Sequence, residues 1–340
     1  MNNNLQFIEL NGSPYERGKK SGIFFKNILH KTMKNYEKYI KNESIYNQMK
    51  LVEKSVKKIF PNYLEEIYGR ADGSGINKDL YFISMCAELI NEGVGCTSIA
   101  YKKPNGNFIL SHNEDDAYEP GASCITKCVT EKSWFAGFDY CRMAFGNAFS
   151  WNSYGIVKTI NFCTPININP NGIPRYFIQR HISEACSIED FINRCNIPNR
   201  ASGFHAIALD INKNIAISVE VTDKNINIIE IDDYYIHTNH YIHKNICNGK
   251  LYTNSESTSL YRYNKTKELM NKLIKNNTVN KHNINKILNY RGHYYQDSIL
   301  AIKGEPNFTC ANFTIDTETK NNLYIKSFTT NENLVIDYNH

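Results

Sequence analysis

The chain has 340 residues, 41% hydrophobic and 21% charged, and its 39 basic and 34 acidic side chains leave a formal net charge of +5. That length holds one large or two ordinary domains, the composition excludes wholesale disorder, and the scattered basic excess gives no nucleic-acid signature. No apolar run reaches the roughly 20 residues a bilayer span requires, and Met1 to Gln6 lack a basic-then-apolar leader, so a cytoplasmic protein with no membrane association is expected. Its ten dispersed cysteines then read as reduced thiols.

Residues 1–95 read as mainly helical. Asn11-Gly12-Ser13-Pro14 is a break, and Ser13 with Glu16 has the form of a capping box with Pro14 at the first helical position. Periodic stretches run from there to about Ile40, from Ile45 to about Ile67, and from Lys78 to Ile90, the last stopped by Asn91-Glu92-Gly93. The texture changes at Gly95. Residues 96–101 and 107–111 read as strands joined by Lys103-Pro104-Asn105-Gly106, a hairpin signal. Further strands are expected at 156–162, 204–210, 215–221, 226–231, 312–315 and 323–328, and helices at 174–184, 188–194, 259–275 and 283–288. Together these predict an α+β fold, sheets packed on sheets with helices outside.

Gly95-Cys96-Thr97-Ser98 falls at the helix-to-strand change. On composition alone a buried structural thiol is the simpler reading of Cys96. A hairpin would carry Glu114 or Asp115, in Ser111-His112-Asn113-Glu114-Asp115, toward it; a surface acidic turn accounts for the same residues equally well.

The motifs taken together resemble those of the acyl-coenzyme A:6-aminopenicillanic acid acyltransferases and their relatives, a cysteine branch of the N-terminal-nucleophile (Ntn) hydrolases. Gly12-Ser13-Pro14-Tyr15-Glu16-Arg17-Gly18 is similar to that family's Gly-(Ser/Thr)-Pro-Tyr-Glu-x-Gly opening. Gly95-Cys96-Thr97, Pro104-Asn105-Gly106 and Asn113-Glu114-Asp115 resemble its Gly-Cys-Thr…Pro-Asn-Gly…Asn-x-Asp block. Trp151-Asn152 through Gly155-Ile156 and Asn161 resemble its Asn-x-x-Gly-(Leu/Ile)…Asn strand, and His237-Thr238-Asn239-His240-Tyr241 its Thr-Asn-His signature. Their order and spacing cover most of the chain.

The resemblance implies an Ntn-type four-layer αββα sandwich, made as a precursor whose Gly95–Cys96 bond breaks autocatalytically. A helical segment 1–95 and a catalytic segment 96–340 would stay associated as one structural domain. Cys96 would be the nucleophile, its new α-amino group the base, since such an amine titrates near 7.7–8.0. Asn239 is expected to stabilise an oxyanion through its side-chain amide, and Asp115 to be the supporting carboxylate. Ser98, Glu114 and His240 are expected nearby in supporting or substrate-binding roles. Relatives carry an Arg in a Ser-Ile-Cys-Arg-His-like segment where this chain has Ser298-Ile299-Leu300-Ala301-Ile302-Lys303. Ala301 takes the place of that Arg, and Lys303 is the candidate replacement cation, although a Lys lacks the bidentate fork. The implied chemistry is cleavage or formation of a linear amide through a Cys96 acyl-thioester, with no cofactor and no metal. The substrate would be a small-molecule amide or acyl-thioester, acyl-coenzyme A among the acyl donors, in a biosynthetic pathway of secondary metabolism. The rival reading, prompted by the altered Arg segment, is a catalytically silent scaffold that binds a small molecule or a partner.

Other residues read more plainly. His237, His240 and His243 recur every third residue, which on a strand does not place them on one face, and Cys124-x-x-x-Cys128 has no second pair at zinc-finger spacing. Glu220 reads as part of a buried network, His293 as packed, and Arg262 as a helix-surface pairing residue.

Overall fold

Ser13 begins the first helix, α1 (Pro14–Phe24), with the expected capping box: its Oγ accepts the Glu16 N–H at 3.3 Å while the Glu16 carboxylate accepts the Ser13 N–H at 2.8 Å. The computed structural model describes residues 5–90, 93, 95–248, 250, 257–319 and 322–338. The first periodic run is segmented into α1, α2 (Lys26–Thr32), a 3₁₀ turn (Met33–Tyr36) and α3 (Glu37–Ile40). The second is two helices, α4 (Glu43–Ile59) and α5 (Pro61–Ser74). Phe60 leaves the helical region at φ −128° and ψ 56°, and Pro61, with no N–H to give, starts the new helix. The third, α6 (Lys78–Ser84), ends short of Ile90; Asn91 and Glu92 of the expected stop lie outside the described residues.

Helices α1 and α5 meet backbone to backbone. A Cβ at Gly18 would fall 2.0 Å from the Glu66 carbonyl oxygen, and one at Gly69 would fall 2.1 Å from that of Tyr15, so only glycine permits the crossing. The opening motif therefore builds a helix contact.

The strands are β1 (Phe7–Leu10), β2 (Cys96–Lys102), β3 (Phe108–Asp116), β4 (Ser123–Val129), β5 (Trp134–Tyr140), β6 (Ser150–Asn152), β7 (Ile156–Phe162), β8 (Phe204–Asp210), β9 (Ile215–Val221), β10 (Ile226–Glu230), β11 (Tyr234–His237), β12 (Phe308–Asp316), β13 (Asn322–Ser327) and β14 (Glu332–Asp337). The later helices are α7 (Arg175–Ile182), α8 (Ile188–Cys195), α9 (Lys244–Cys247), α10 (Ser259–Lys275) and α11 (Lys281–Leu288). One sheet has the order β1-β4-β5-β6-β7-β8-β9-β10 and the other β11-β2-β3-β12-β13-β14. All pairings are antiparallel except β1 with β4, which run parallel. β1 lies in the stretch read as helical, and so places the first segment inside a sheet.

The two sheets pack face to face, with Phe149, just before β6 of the first, stacked on Phe313 of the second at 4.7 Å between ring centroids. Outside the smaller sheet, Ile99, Ile109 and Ile236 bury against Met270 of α10 and Ile284, Ile287 and Leu288 of α11. Outside the larger sheet lie α1, α5, α7 and α8; the Arg180 guanidinium covers the Phe135 ring at 4.3 Å while sharing Glu66 with Arg17. Four layers, αββα, result, as expected. One core cluster includes Leu29, Val52 and Ile67 from before Gly95 and Leu110, Phe149 and Phe313 from after it.

Candidate active site

The β2–β3 hairpin organises the site. Its turn closes at Gly106, which takes φ +85° after Pro104-Asn105, and the register sets Cys96 opposite Glu114, Thr97 opposite Asn113 and Ser98 opposite His112. Alternation along the strands then sorts the side chains. Cys96, Ser98, His112 and Glu114 point between the sheets; Asn113 points outward, its Nδ2 donating to the Leu288 carbonyl at the end of α11. Asp115 shares that outward face and accepts Thr309 Oγ1–H at 2.7 Å.

Each peptide atom around Cys96 is held. The Gly95 carbonyl accepts the Asp115 N–H at 2.9 Å, and the Cys96 N–H donates to Asn239 Oδ1 at 2.9 Å. Arg262 donates Nη1–H to the Cys96 carbonyl and to Thr97 Oγ1, and Nη2–H to Asn239 Oδ1 at 2.6 Å. A Cβ on Gly95 would approach Asp115 Oδ2 to 3.1 Å, so glycine at the junction lets this carboxylate sit close.

Asn239 is placed by its neighbours. Its N–H donates to Ser259 Oγ at 2.7 Å, the His240 Nδ1 lies 2.8 Å from the same Oγ, and Thr238 Oγ1 donates to the Ser259 carbonyl. Ser259 and Arg262 share one face of the first turn of α10 by i, i+3 spacing. The Asn239 side chain presents its oxygen, not its amide, to Cys96, because both neighbours there are donors; Nδ2 donates to the Phe162 carbonyl at 2.9 Å. His240 reaches Ser259 rather than Cys96, and Ser98 reaches across to β7, donating to Asn161 Oδ1 at 2.8 Å.

Burial dominates the electrostatics. It pushes the Cys96 thiol well above its usual range, the Glu114 and Asp115 carboxyls pushing the same way against the Asp115 N–H and Arg262. Burial also raises Asp115 to about 6, against the pull of Arg262 and the Thr309 hydroxyl, and raises Glu114 well above the carboxyl range. The His112 imidazole is driven down to about 3 by burial. Burial therefore favours the neutral thiol at Cys96.

Arg262, expected on a helix surface, is 4% exposed and bonded to the carbonyl of the Cys96 peptide group. Lys303 lies exposed with its ammonium 4.6 Å from the Tyr118 ring centroid, and no contact joins it to Cys96 or Asp115 among those described. Ala301 is buried, its N–H donating to Thr309 Oγ1, which in turn donates to Asp115. His293 is exposed, not packed. Glu220 does sit in a buried network: burial works to raise it, but His237 and the Ile242 N–H pull it below the usual range. His237, His240 and His243 turn to Glu220, Ser259 and Tyr235 respectively. Among the described residues the one group of three metal-type donors is Cys96, His112 and Glu114, whose donor atoms lie within 4.8 Å of one another. Beyond Glu114, a pocket of about 240 Å³ is lined by Tyr140, Asp116, Arg142, Cys310 and Gly93.

Residues 101–320 match the family described as acyl-coenzyme A:6-aminopenicillanic acid acyl-transferase. The beta-alanyl-dopamine/carcinine hydrolase of Drosophila melanogaster is 25% identical over 205 residues, 52% of each protein, so the chain spans about half the length of this curated relative. Two variants of the conjugated bile acid hydrolase of Clostridium perfringens superpose with a TM-score of 0.48, at 18% and 17% identity, over 72% of this chain and 93% and 94% of theirs.

Proposed function

Because this chain belongs to the acyl-coenzyme A:6-aminopenicillanic acid acyl-transferase family, we propose that it breaks its own Gly95–Cys96 bond and then hydrolyses or forms a small-molecule amide through a Cys96 acyl-thioester. The observation that carries this reading is the set of contacts on Cys96. In the unbroken chain the Gly95 carbonyl already accepts a backbone N–H, and the thiol that would attack it belongs to the next residue. Attack moves the Gly95 acyl group from nitrogen to sulfur, and water then releases it.

The freed nitrogen becomes an α-amine, a group whose ordinary pKa of about 7.7–8.0 suits it to take the thiol proton at neutral pH. Asn239 Oδ1 accepts from that nitrogen, so its lone pair stays available to the thiol. A substrate carbonyl that takes the place of Gly95 inherits the Asp115 N–H as an oxyanion donor. Asn239 thus acts through its oxygen, and Arg262 fixes the nucleophile and Asn239 together. Segments 1–95 and 96–340 stay joined through the β1–β4 pairing and the shared core.

The fly relative is named for beta-alanyl-dopamine and carcinine, and a small amide is the substrate class proposed, with an acyl-thioester as an alternative acyl donor. No helix among the described residues is long and apolar enough to cross a membrane; the described cysteines, all unpaired, suit the reducing cytoplasm. Ala301 favours the silent scaffold, yet Arg262 supplies a buried guanidinium at Cys96 whatever stands at 301. Intact mass of the purified chain decides. A new N-terminus at Cys96, absent in Cys96→Ala, together with hydrolysis of a panel of N-acyl amides, is expected. Wild-type protein that stays full-length, whether or not it turns over amides, would overturn the N-terminal-amine mechanism.

A further inference from the structure

The base that serves turnover does not exist before maturation. While the Gly95–Cys96 bond is intact the Cys96 nitrogen is an amide, so something else must take the thiol proton and return one to the departing nitrogen. Glu114 stands directly across the β2–β3 ladder from Cys96, and His112 lies two residues back on the same face.

Hydrogen-bond accounting locates the protons in this pair. Asn161 Nδ2 donates to the His237 carbonyl at 3.4 Å, which turns its Oδ1 toward Ser98 and His205. The Ser98 hydroxyl proton is committed to that oxygen, so Ser98 Oγ must accept from His112 Nδ1–H, 2.8 Å away. A neutral His112 protonated at Nδ1 has a bare Nε2. Its 2.9 Å contact with Glu114 Oε2 then requires a proton on Glu114. The downward shift of His112 and the upward shift of Glu114, both from burial, agree. The same contact would admit a His112–Glu114 ion pair, but burial of both groups favours Glu114 as the neutral carboxylic acid, and its second oxygen accepts the Tyr140 hydroxyl at 3.3 Å.

We infer that the Glu114–His112 pair is the proton shuttle of self-cleavage, an inference that rests on the maturation proposed above. As Cys96 Sγ bonds to the Gly95 carbonyl carbon, Glu114 Oε1 takes the thiol proton while Oε2 passes its own to His112 Nε2. As the C–N bond breaks, both transfers reverse and the proton at Oε1 goes to the Cys96 nitrogen. The sum is one proton moved from sulfur to nitrogen, one S–C bond formed and one C–N bond broken, with Glu114 and His112 restored. Glu114 never carries a full charge in a site that would penalise one.

Glu114→Gln is a clean test, since a Gln amide donates to His112 Nε2 as the neutral acid does but has no proton to exchange. Freshly made wild type, Glu114→Gln and His112→Asn are followed by intact mass from pH 5 to 9, with the melting temperature recorded. The titratable and charged groups facing Glu114 are His112 and Asp115 on its own strand, Cys96 on β2, Tyr140 on β5, Lys158 on β7 and Cys310 on β12, with the Asp116–Arg142 pair beyond; of these Asp115, raised to about 6, and Lys158, lowered to about 7, change charge within this range. The expected result is a Glu114→Gln protein that melts within a few degrees of wild type but cuts itself about 100-fold more slowly, with a flattened pH profile. Cleavage at the wild-type rate and profile overturns the shuttle. So does a Gln variant that fails to fold, because it would mean that Glu114 is held as an anion. A wild type that never cuts instead removes the maturation reading itself.

Discussion

Arg262 holds the carbonyl of Cys96 across 166 residues of chain and, with its other nitrogen, holds the Asn239 oxygen that receives the Cys96 N–H. A single planar fork thereby joins both ends of Cys96 to the loop that faces it. The same guanidinium draws Asp115 down against the burial that raises it.

Arg262→Lys keeps the charge and loses the fork, so it should not rescue Arg262→Ala. Both are expected to lower kcat/KM for amide hydrolysis by about 100-fold, the scale of losing a positioned donor at a reacting group. Initial rates on the mature proteins check this; a Lys variant at wild-type rate would remove the fork from the argument.

Asn239 separates acceptor from donor. Asn239→Asp preserves the oxygen that holds the Cys96 nitrogen, whereas Asn239→Ala removes it. The Asp variant should retain about tenfold more activity than the Ala variant, which is the worth of one net hydrogen bond. Equal loss in both would indicate that the amide acts as a donor during turnover, in the manner first expected.

Lys303→Ala is expected to leave kcat and KM within about twofold of wild type, because the ammonium lies exposed over Tyr118 and surface substitutions rarely move more than about 0.5 kcal/mol. A rise in KM confined to anionic substrates would contradict that.

Acid should destabilise the fold. Folding lowers His112 and His181 to about 3, His240 to about 4 and His205 well below 6.5. The unfolded chain therefore binds their protons first. Stability from these groups is present above about pH 6.5 and is lost as pH falls through each folded value, at up to about 1.4 kcal/mol per unit for each fully buried group. Asp115 and Asp139, raised to about 6, and Glu114, raised well above the carboxyl range, act oppositely as pH falls toward 4 but are fewer. Melting temperatures should fall between pH 7 and 4, and less steeply in His112→Asn; a flat profile would count against neutral buried imidazoles.

What was legible in the sequence was local. The capping box, the Pro104-Asn105-Gly106 turn and the strand on each side of it depend on neighbours within a few residues, and they place Cys96 opposite Glu114. β5 escaped notice because nearly all its residues are buried and no alternation marks it. β1 has four residues and gains its hydrogen bonds from a partner more than a hundred positions away. Arg262 reads as a surface cation until the first turn of α10 is seen against β2, a contact no periodicity encodes. His112 gave no signal for the same reason as β5: both faces of β3 are covered.

The pairing of β1 with β4 has a last consequence, for how the molecule ages. An uncut chain that melts keeps its two halves tethered and can re-form the sheet by a first-order step. A chain divided at Gly95–Cys96, as proposed, would have no tether, and loss of the β1 edge together with the shared core would become a separation of two species whose reunion depends on their concentration. At high dilution, unfolding of such a cut form would in effect be irreversible. Its working lifetime would then be set by how slowly the two sheets and their core open and not by how favourably they close.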